Sequence, residues 1–321
     1  MVNILITRKI PKEFKDEISK LKDVKTYYND SDKVLSKIEL IKAVRGMNIV
    51  VSLLTDKIDR DVIEAGSESL KYIANYAVGF DNIDIEAAKE KNIFVTNTPD
   101  IMTQAVAEHA MALMLACARR IIEGDRFMRE GKYRYWMPEL LLGPEIAGKT
   151  IGIVGVGRIG QALAEIAYHG FGMKILYHDI KKCEDIERNL QADYVSLNHL
   201  LEESDFVSLH VPLLPETKHM IGRHELSEMK KTAVLINTSR GPVVDEIALA
   251  DTLEEKQIFA AGIDVYEFEP NPVAKLLKLN NIVMTPHIAS ATEEARKGMG
   301  ECVIRNIEDF LSSGKIKNNV Y

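Results

Sequence analysis

The most constraining feature of this chain is the form of its strand-like segments, which are continuous apolar runs rather than polar–apolar alternations. "NILIT", "NIVVSL", "KYIA" and "IFVTN" occur in the first hundred residues; "TIGIVG", "KILYHD", "FVSLH", "AVLINTS", "AAGIDV" and "NIVMT" occur later. A strand apolar on both sides must be covered on both faces, which is the situation of a parallel sheet flanked by helices. Amphipathic stretches such as "KEFKDEISKL" and "KVLSKIELIKAV" lie between the runs and supply the crossovers. The expected class is therefore α/β.

A length of 321 residues exceeds one ordinary core, so two domains are expected. The pattern breaks at "TNTPDIMTQ", where Pro99 and Asp100 interrupt it. Thr103 then reads as the N-cap of one long helix over 104–130. A second long helical pattern covers 290–311 and returns the chain to the first domain. The expected division is residues 1–99 with 288–321 as a discontinuous substrate-binding domain, and 100–287 as a dinucleotide-binding domain. Two Rossmann-like or flavodoxin-like parallel-sheet domains with an active-site cleft between them are the architecture this implies.

The formal charge of -7 argues against nucleic acid or an anionic membrane as partner, though a small anion responds to a local arginine rather than to net charge. Cys117, Cys183 and Cys302 are far apart and odd in number, so neither a disulfide framework nor a zinc site is expected. The N-terminus has no signal-peptide core and the longest apolar run is too short to span a bilayer. A cytoplasmic location and no bound metal are expected.

"TIGIVGVGRIGQALAEIA" holds Gly155-x-Gly157-x-x-Gly160 directly after a strand and at the opening of a helix. That context turns a weak motif into a dinucleotide signature: a tight turn, room for a pyrophosphate, and close helix–strand packing, with the phosphates at a helix N-terminus. The next strand ends at Asp179, nineteen residues after Gly160. A carboxylate there accepts bonds from ribose hydroxyls and repels a 2′-phosphate, so NAD is expected, with NADH preferred over NADPH. Lys181 and Lys182 soften that preference. A methyltransferase is the rival reading of the loop alone.

Three other strands run into chemistry-bearing residues: "TAVLINTSRGPVVDE" into Arg240, "FAAGIDVYEFEP" into Glu269, and "NIVMTPH" into His287. Ligands of open parallel sheets bind at the carboxyl ends of strands, so the three are expected in one crevice. Their chemistry suits an α-keto acid. Arg240 offers a planar fork for carboxylate and carbonyl oxygen. His287 exchanges a proton with that oxygen as hydride is transferred, and Glu269 holds the other ring nitrogen and favours the imidazolium.

With these motifs in view, the chain resembles the D-2-hydroxyacid dehydrogenase family over essentially its whole length. The matching stretches are "GKTIGIVGVGRIGQ", "NTSRGPVVDE", "GIDVYEFEP" and "TPHIASAT". Within that family, "LITRKIP", "VSLLTDKID", "NYAVGFDNID" and "YWMPELLLG" are most similar to the glyoxylate/hydroxypyruvate reductase branch, although "HDIKK" and "TQAVAEH" depart from its usual pattern. The resemblance implies Arg240, Glu269 and His287 as catalytic residues, Asp264 near the nicotinamide carboxamide, and a homodimer built through the nucleotide domain. It also implies main-chain contacts to the substrate carboxylate near Leu53, Leu54, Val78 and Gly79. The expected cofactor contacts are completed by Arg158, Ile159, His210, Pro212, Thr217, Thr238 and Thr103.

Other features have plainer readings. "HELSEM" lacks the second histidine of a zinc motif and reads as a helix start. His109, among alanines and methionines, reads as a packed, hydrogen-bonded histidine. Trp136 reads as core or interface packing, or as a cap on a substrate pocket, that of a partner subunit included. The leading function is NAD-dependent reduction of glyoxylate or hydroxypyruvate. A 3-phosphoglycerate dehydrogenase is the rival within the family, and a dinucleotide-sensing corepressor is the rival outside enzymology.

Overall fold

The structure, a computed structural model, describes residues 1–314 and 316–321. The chain divides into two compact units, Met1–Met102 with Thr292–Tyr321, and Thr103–Ala291. The first holds strands β1 (Val2–Ile6), β2 (Val24–Tyr28), β3 (Ile49–Ser52), β4 (Tyr72–Asn75) and β5 (Phe94–Thr96), ordered β2-β1-β3-β4-β5. All its ladders are parallel, and the order is that of flavodoxin-like sheets. β3 and β4 are buried at every position, as their uninterrupted apolar sequences require. The helix Glu293–Ser313 belongs to this unit: Phe310 packs its ring on Tyr72 at 5.0 Å, and the Tyr76 hydroxyl donates to the Arg296 carbonyl at 2.7 Å.

The second unit holds β6 (Thr150–Val154), β7 (Lys174–His178), β8 (Asp193–Tyr194), β9 (Phe206–Leu209), β10 (Val234–Asn237), β11 (Ala260–Ile263) and β12 (Ile282–Met284). Their order, β12-β11-β10-β9-β6-β7-β8, is a doubly wound sheet with its switch point between β6 and β9. The helix Thr103–Ala118 covers one face, burying Ala107, Ala110, Leu113, Met114 and Cys117 in a core with Ile153, Leu163 and Ile236.

The single helix expected over 104–130 is two. Thr103 is the first helical residue rather than the cap, the first helix ends at Ala118, and a second runs Ile121–Arg129. Arg120 sits between them in the left-handed region, φ 49°, its side chain paired with Glu123. The first helix is apolar around most of its circumference and the second buries nothing, so the chain must turn where the core ends. No glycine or proline marks the break, which is why helical pattern alone runs the two together. Among the described residues no helix is long and apolar enough to cross a membrane.

Candidate active site

The cofactor half of the site is built on the turn from β6 into the helix Arg158–Phe171. Gly155 has φ +90°, and a side chain there would lie 2.8 Å from the carbonyl oxygen of His210. Gly157 caps the helix with open space beside its Cα, and a Cβ at Gly160 would fall 2.2 Å from the Gly155 carbonyl. The helix N-terminus is therefore uncovered and close-packed against the turn, the form a pyrophosphate requires. Arg158 is exposed and Ile159 half-buried on its first turn.

Asp179 has a structural task as well as its expected one. Its Oδ2 accepts from the Val156 amide at 2.8 Å and its Oδ1 from the Ile180 amide at 2.6 Å, so the carboxylate expected to face a ribose also ties down the glycine loop. Each oxygen keeps a further acceptor position. Ser208, within β9, bonds the ring of His210 just after the strand at 2.8 Å, and burial pushes that imidazole down to about 4, leaving it neutral. The Thr217 hydroxyl donates to the Pro212 carbonyl and accepts from the Leu214 amide, shaping that loop from within. Thr238, at the end of β10, has a buried hydroxyl oxygen without a hydrogen-bond partner among the described residues, an atom a bound group would satisfy. These residues fit a dinucleotide.

The catalytic half lies at the carboxyl ends of β10, β11 and β12, which are neighbours in the sheet. Arg240 follows β10 and its Nη1 donates to the Ser239 carbonyl at 2.8 Å. Glu269 follows β11, its Oε1 accepting from the Tyr266 amide at 3.1 Å. His287 follows β12, and its Nδ1 lies 3.1 Å from Glu269 Oε2. Burial pushes the Glu269 carboxyl up, but the His287 ring, the Tyr266 amide and the Arg240 charge outweigh it and hold the group below the ordinary glutamate range. The pair is thus a carboxylate and an imidazole oriented by it, with the other ring nitrogen left to act on a ligand.

Four supports keep this geometry. Asp264 is fully buried, and its carboxylate accepts from the Thr285 hydroxyl and from the amides of Ile288 and Ala289. Burial pushes it up; His109, Thr285 and the two amides overcome this and keep it ionised. It thereby clamps the loop in which His287 adopts φ 55°. His109 reaches the same cluster from the helix Thr103–Ala118, 3.0 Å from the Thr285 hydroxyl. Glu246, 3% exposed, accepts from the amides of Glu267 and Val273 and so holds both ends of the Glu269 loop. Gly241, finally, lets the Arg240 turn press on that loop: a Cβ there would fall 1.9 Å from the carbonyl of Tyr266. From sequence, Glu246 is only an acid in the first turn of a helix capped by Asp245.

Leu53, Leu54, Val78 and Gly79 lie in the other unit. Leu53 has both main-chain groups engaged: its amide donates to Asp56 Oδ2 at 2.8 Å, and its carbonyl accepts from Asn82 and from the Asp56 amide. Asp56 is buried, which pushes its carboxyl up against the opposing bonds from Leu53 and Thr7 and the charge of Arg8. The amides of Leu54, Val78 and Gly79 have no acceptor among the described residues. Trp136 is 76% exposed, which removes it from the core of its own unit.

An open, doubly wound parallel sheet with a glycine turn, an acid after the second strand, and an Arg–Glu–His set at three adjacent strand ends defines a nicotinamide-dependent oxidoreductase unit. The model of the D-isomer specific 2-hydroxyacid dehydrogenase NAD binding domain matches residues 111–289. A glyoxylate reductase from Korarchaeum cryptofilum is 48% identical over 319 residues, covering 99% of this chain and 95% of the relative. A solved protein of Thermus thermophilus superposes with a TM-score of 0.92 at 40% identity, covering all of both chains. An NADPH-dependent glyoxylate/hydroxypyruvate reductase from Sinorhizobium meliloti gives a TM-score of 0.85 at 30% identity, over 100% of this chain and 98% of that one. The chain belongs to the D-isomer specific 2-hydroxyacid dehydrogenase family.

Proposed function

We propose that this dehydrogenase reduces a small 2-keto acid, glyoxylate or hydroxypyruvate, to the 2-hydroxy acid with NADH. The observation that carries the reading is the His287–Glu269 pair, 3.1 Å apart at the ends of adjacent strands with Arg240 on the next. When bound, the reduced nicotinamide supplies a hydride to the carbonyl carbon. Arg240 holds the carboxylate and the carbonyl oxygen. Glu269 takes the Nδ1 proton bond, so His287 gives its Nε2 proton to the carbonyl oxygen, and the neutral ring takes it back in the oxidation. A panel of 2-keto acids with both cofactors tests this. Rapid NADH oxidation with glyoxylate or hydroxypyruvate supports it; cofactor binding without turnover of any keto acid would favour a sensor of the corepressor kind.

The preference for NADH rests on Asp179, whose charge opposes a 2′-phosphate. NADH is expected to give the higher kcat/KM, and Asp179→Ala to narrow the gap. Because Asp179 also holds the Val156 amide, the variant should bind NADH itself more weakly. A tenfold NADPH preference in the wild type would overturn the reading.

Glu269→Gln tests the pair. Burial raises the Glu269 carboxyl, but the His287 ring, the Tyr266 amide and Arg240 hold it below the ordinary glutamate range, so a charged acceptor faces the ring at 3.1 Å. Glutamine keeps the shape without the charge, so kcat for reduction should fall about tenfold or more while NADH binding is unchanged. Wild-type kcat in the variant would dissolve the pair.

The protein is also read as a homodimer, because Ile121, Met128, Tyr133, Tyr135, Trp136 and Leu142 form an exposed apolar stretch that water does not favour. Sedimentation equilibrium should return twice the chain mass of 36.1 kDa; a monomer at micromolar concentration would exclude it.

A further inference from the structure

The segment that follows β9 is tied by its main chain to the turn that follows β10. The His219 amide donates to the Pro242 carbonyl at 2.8 Å, the Ile221 amide to the Val243 carbonyl at 3.1 Å, and the Asp245 amide to the Ile221 carbonyl at 3.0 Å. The first of these segments also holds Pro212 and Thr217, bonded to each other, and the second begins at Arg240. His219 is fixed between them in the left-handed region, φ 52°. That conformation is uncommon for a residue with a side chain, and here it comes with an imidazole that reaches the loop carrying Glu269.

His219 Nε2 lies 2.7 Å from Glu267 Oε1, and since a carboxylate oxygen accepts, the ring nitrogen donates. The other oxygen, Glu267 Oε2, accepts from the Glu246 amide at 3.4 Å, and the Glu267 amide donates back to Glu246 Oε2 at 2.6 Å. Two carboxylates thus meet in a largely enclosed place, Glu246 being 3% exposed and the Glu267 side chain 12%. Like charges oppose that arrangement, and the ring donor of His219 works against the opposition. The residue that His219 grips is next to Tyr266, whose amide sets the Glu269 carboxylate. The grip is therefore one residue away from the bond that orients the partner of His287.

We propose that His219 is a positioning residue for the proton-transfer pair: by holding Glu267 it keeps the Glu269 carboxylate on Nδ1 of His287. This rests on the reading of Glu269 and His287 as that pair. His219→Asn accepts the left-handed backbone but falls short of Glu267, whereas His219→Gln has both the reach and an N–H to give. Reduction of the keto acid should lose about tenfold in kcat in His219→Asn and recover in His219→Gln, with KM for the keto acid little changed. In a Glu269→Gln background the His219→Asn substitution should cost nothing further, because the group it positions has already lost its charge. A residue that merely stabilised the fold would lower activity in both backgrounds alike. Wild-type kcat in His219→Asn, or losses that multiply in the double variant, would overturn the proposal. Wild-type kcat in Glu269→Gln alone would instead overturn the pair on which it rests. Where His219→Asn does not fold, the wild type decides by the ¹⁵N shifts of its imidazoles: the His219 ring should carry a proton on Nε2, and a ring protonated at Nδ1 alone would remove the bond to Glu267.

Discussion

Replacing His287 by alanine is expected to lower kcat for keto-acid reduction by roughly 10²–10⁴-fold, the usual worth of a positioned general acid. The ring sits after β12 with its Nδ1 held by Glu269, so its removal takes away the proton source without opening the cofactor turn around Gly155. NADH affinity should barely move. The loop itself should survive, because its anchors are the Asp264 carboxylate and the amides of Ile288 and Ala289, none of which the substitution touches. Stopped-flow single turnovers separate the effects: the hydride-transfer step should slow while NADH binding keeps its rate. Full activity in the variant would mean that "TPHIAS" is a strand end with a polar residue on it.

Arg240→Lys is expected to cost about 10- to 100-fold in kcat/KM even though the charge is kept. A lysine presents one compact ammonium where the guanidinium presents a planar fork, so at least one charge-assisted bond to the carboxylate or the carbonyl oxygen is lost. The Nη1 bond to the Ser239 carbonyl, which sets the plane of the fork, goes with it. The loss should fall on KM for the keto acid and on kcat together, since the carbonyl oxygen gains charge in the transition state. Near-normal kcat/KM would take Arg240 out of the substrate site.

Sequence alone determined the α/β class and the parallel sheets, because burial on both faces writes continuous apolar runs such as "GIVG" and "AVLIN". It also determined family membership and the order in which Arg240, Glu269 and His287 leave three strands, since these are local patterns a few residues long. Tertiary structure alone decided which groups those residues meet. Glu269 and His287 are eighteen positions apart in sequence and 3.1 Å apart in space, and His219 meets a carboxylate 48 positions away. It decided that the 104–130 pattern breaks at Arg120, because helix propensity continues where the core stops. It decided the second task of Asp179, and the supporting roles of Asp264, His109 and Glu246. The physical reason is common to these cases. Hydrophobic periodicity records which face of an element is buried, whereas a buried polar group is stable only when particular distant donors reach it, and those donors are named by the fold and not by their neighbours in the chain.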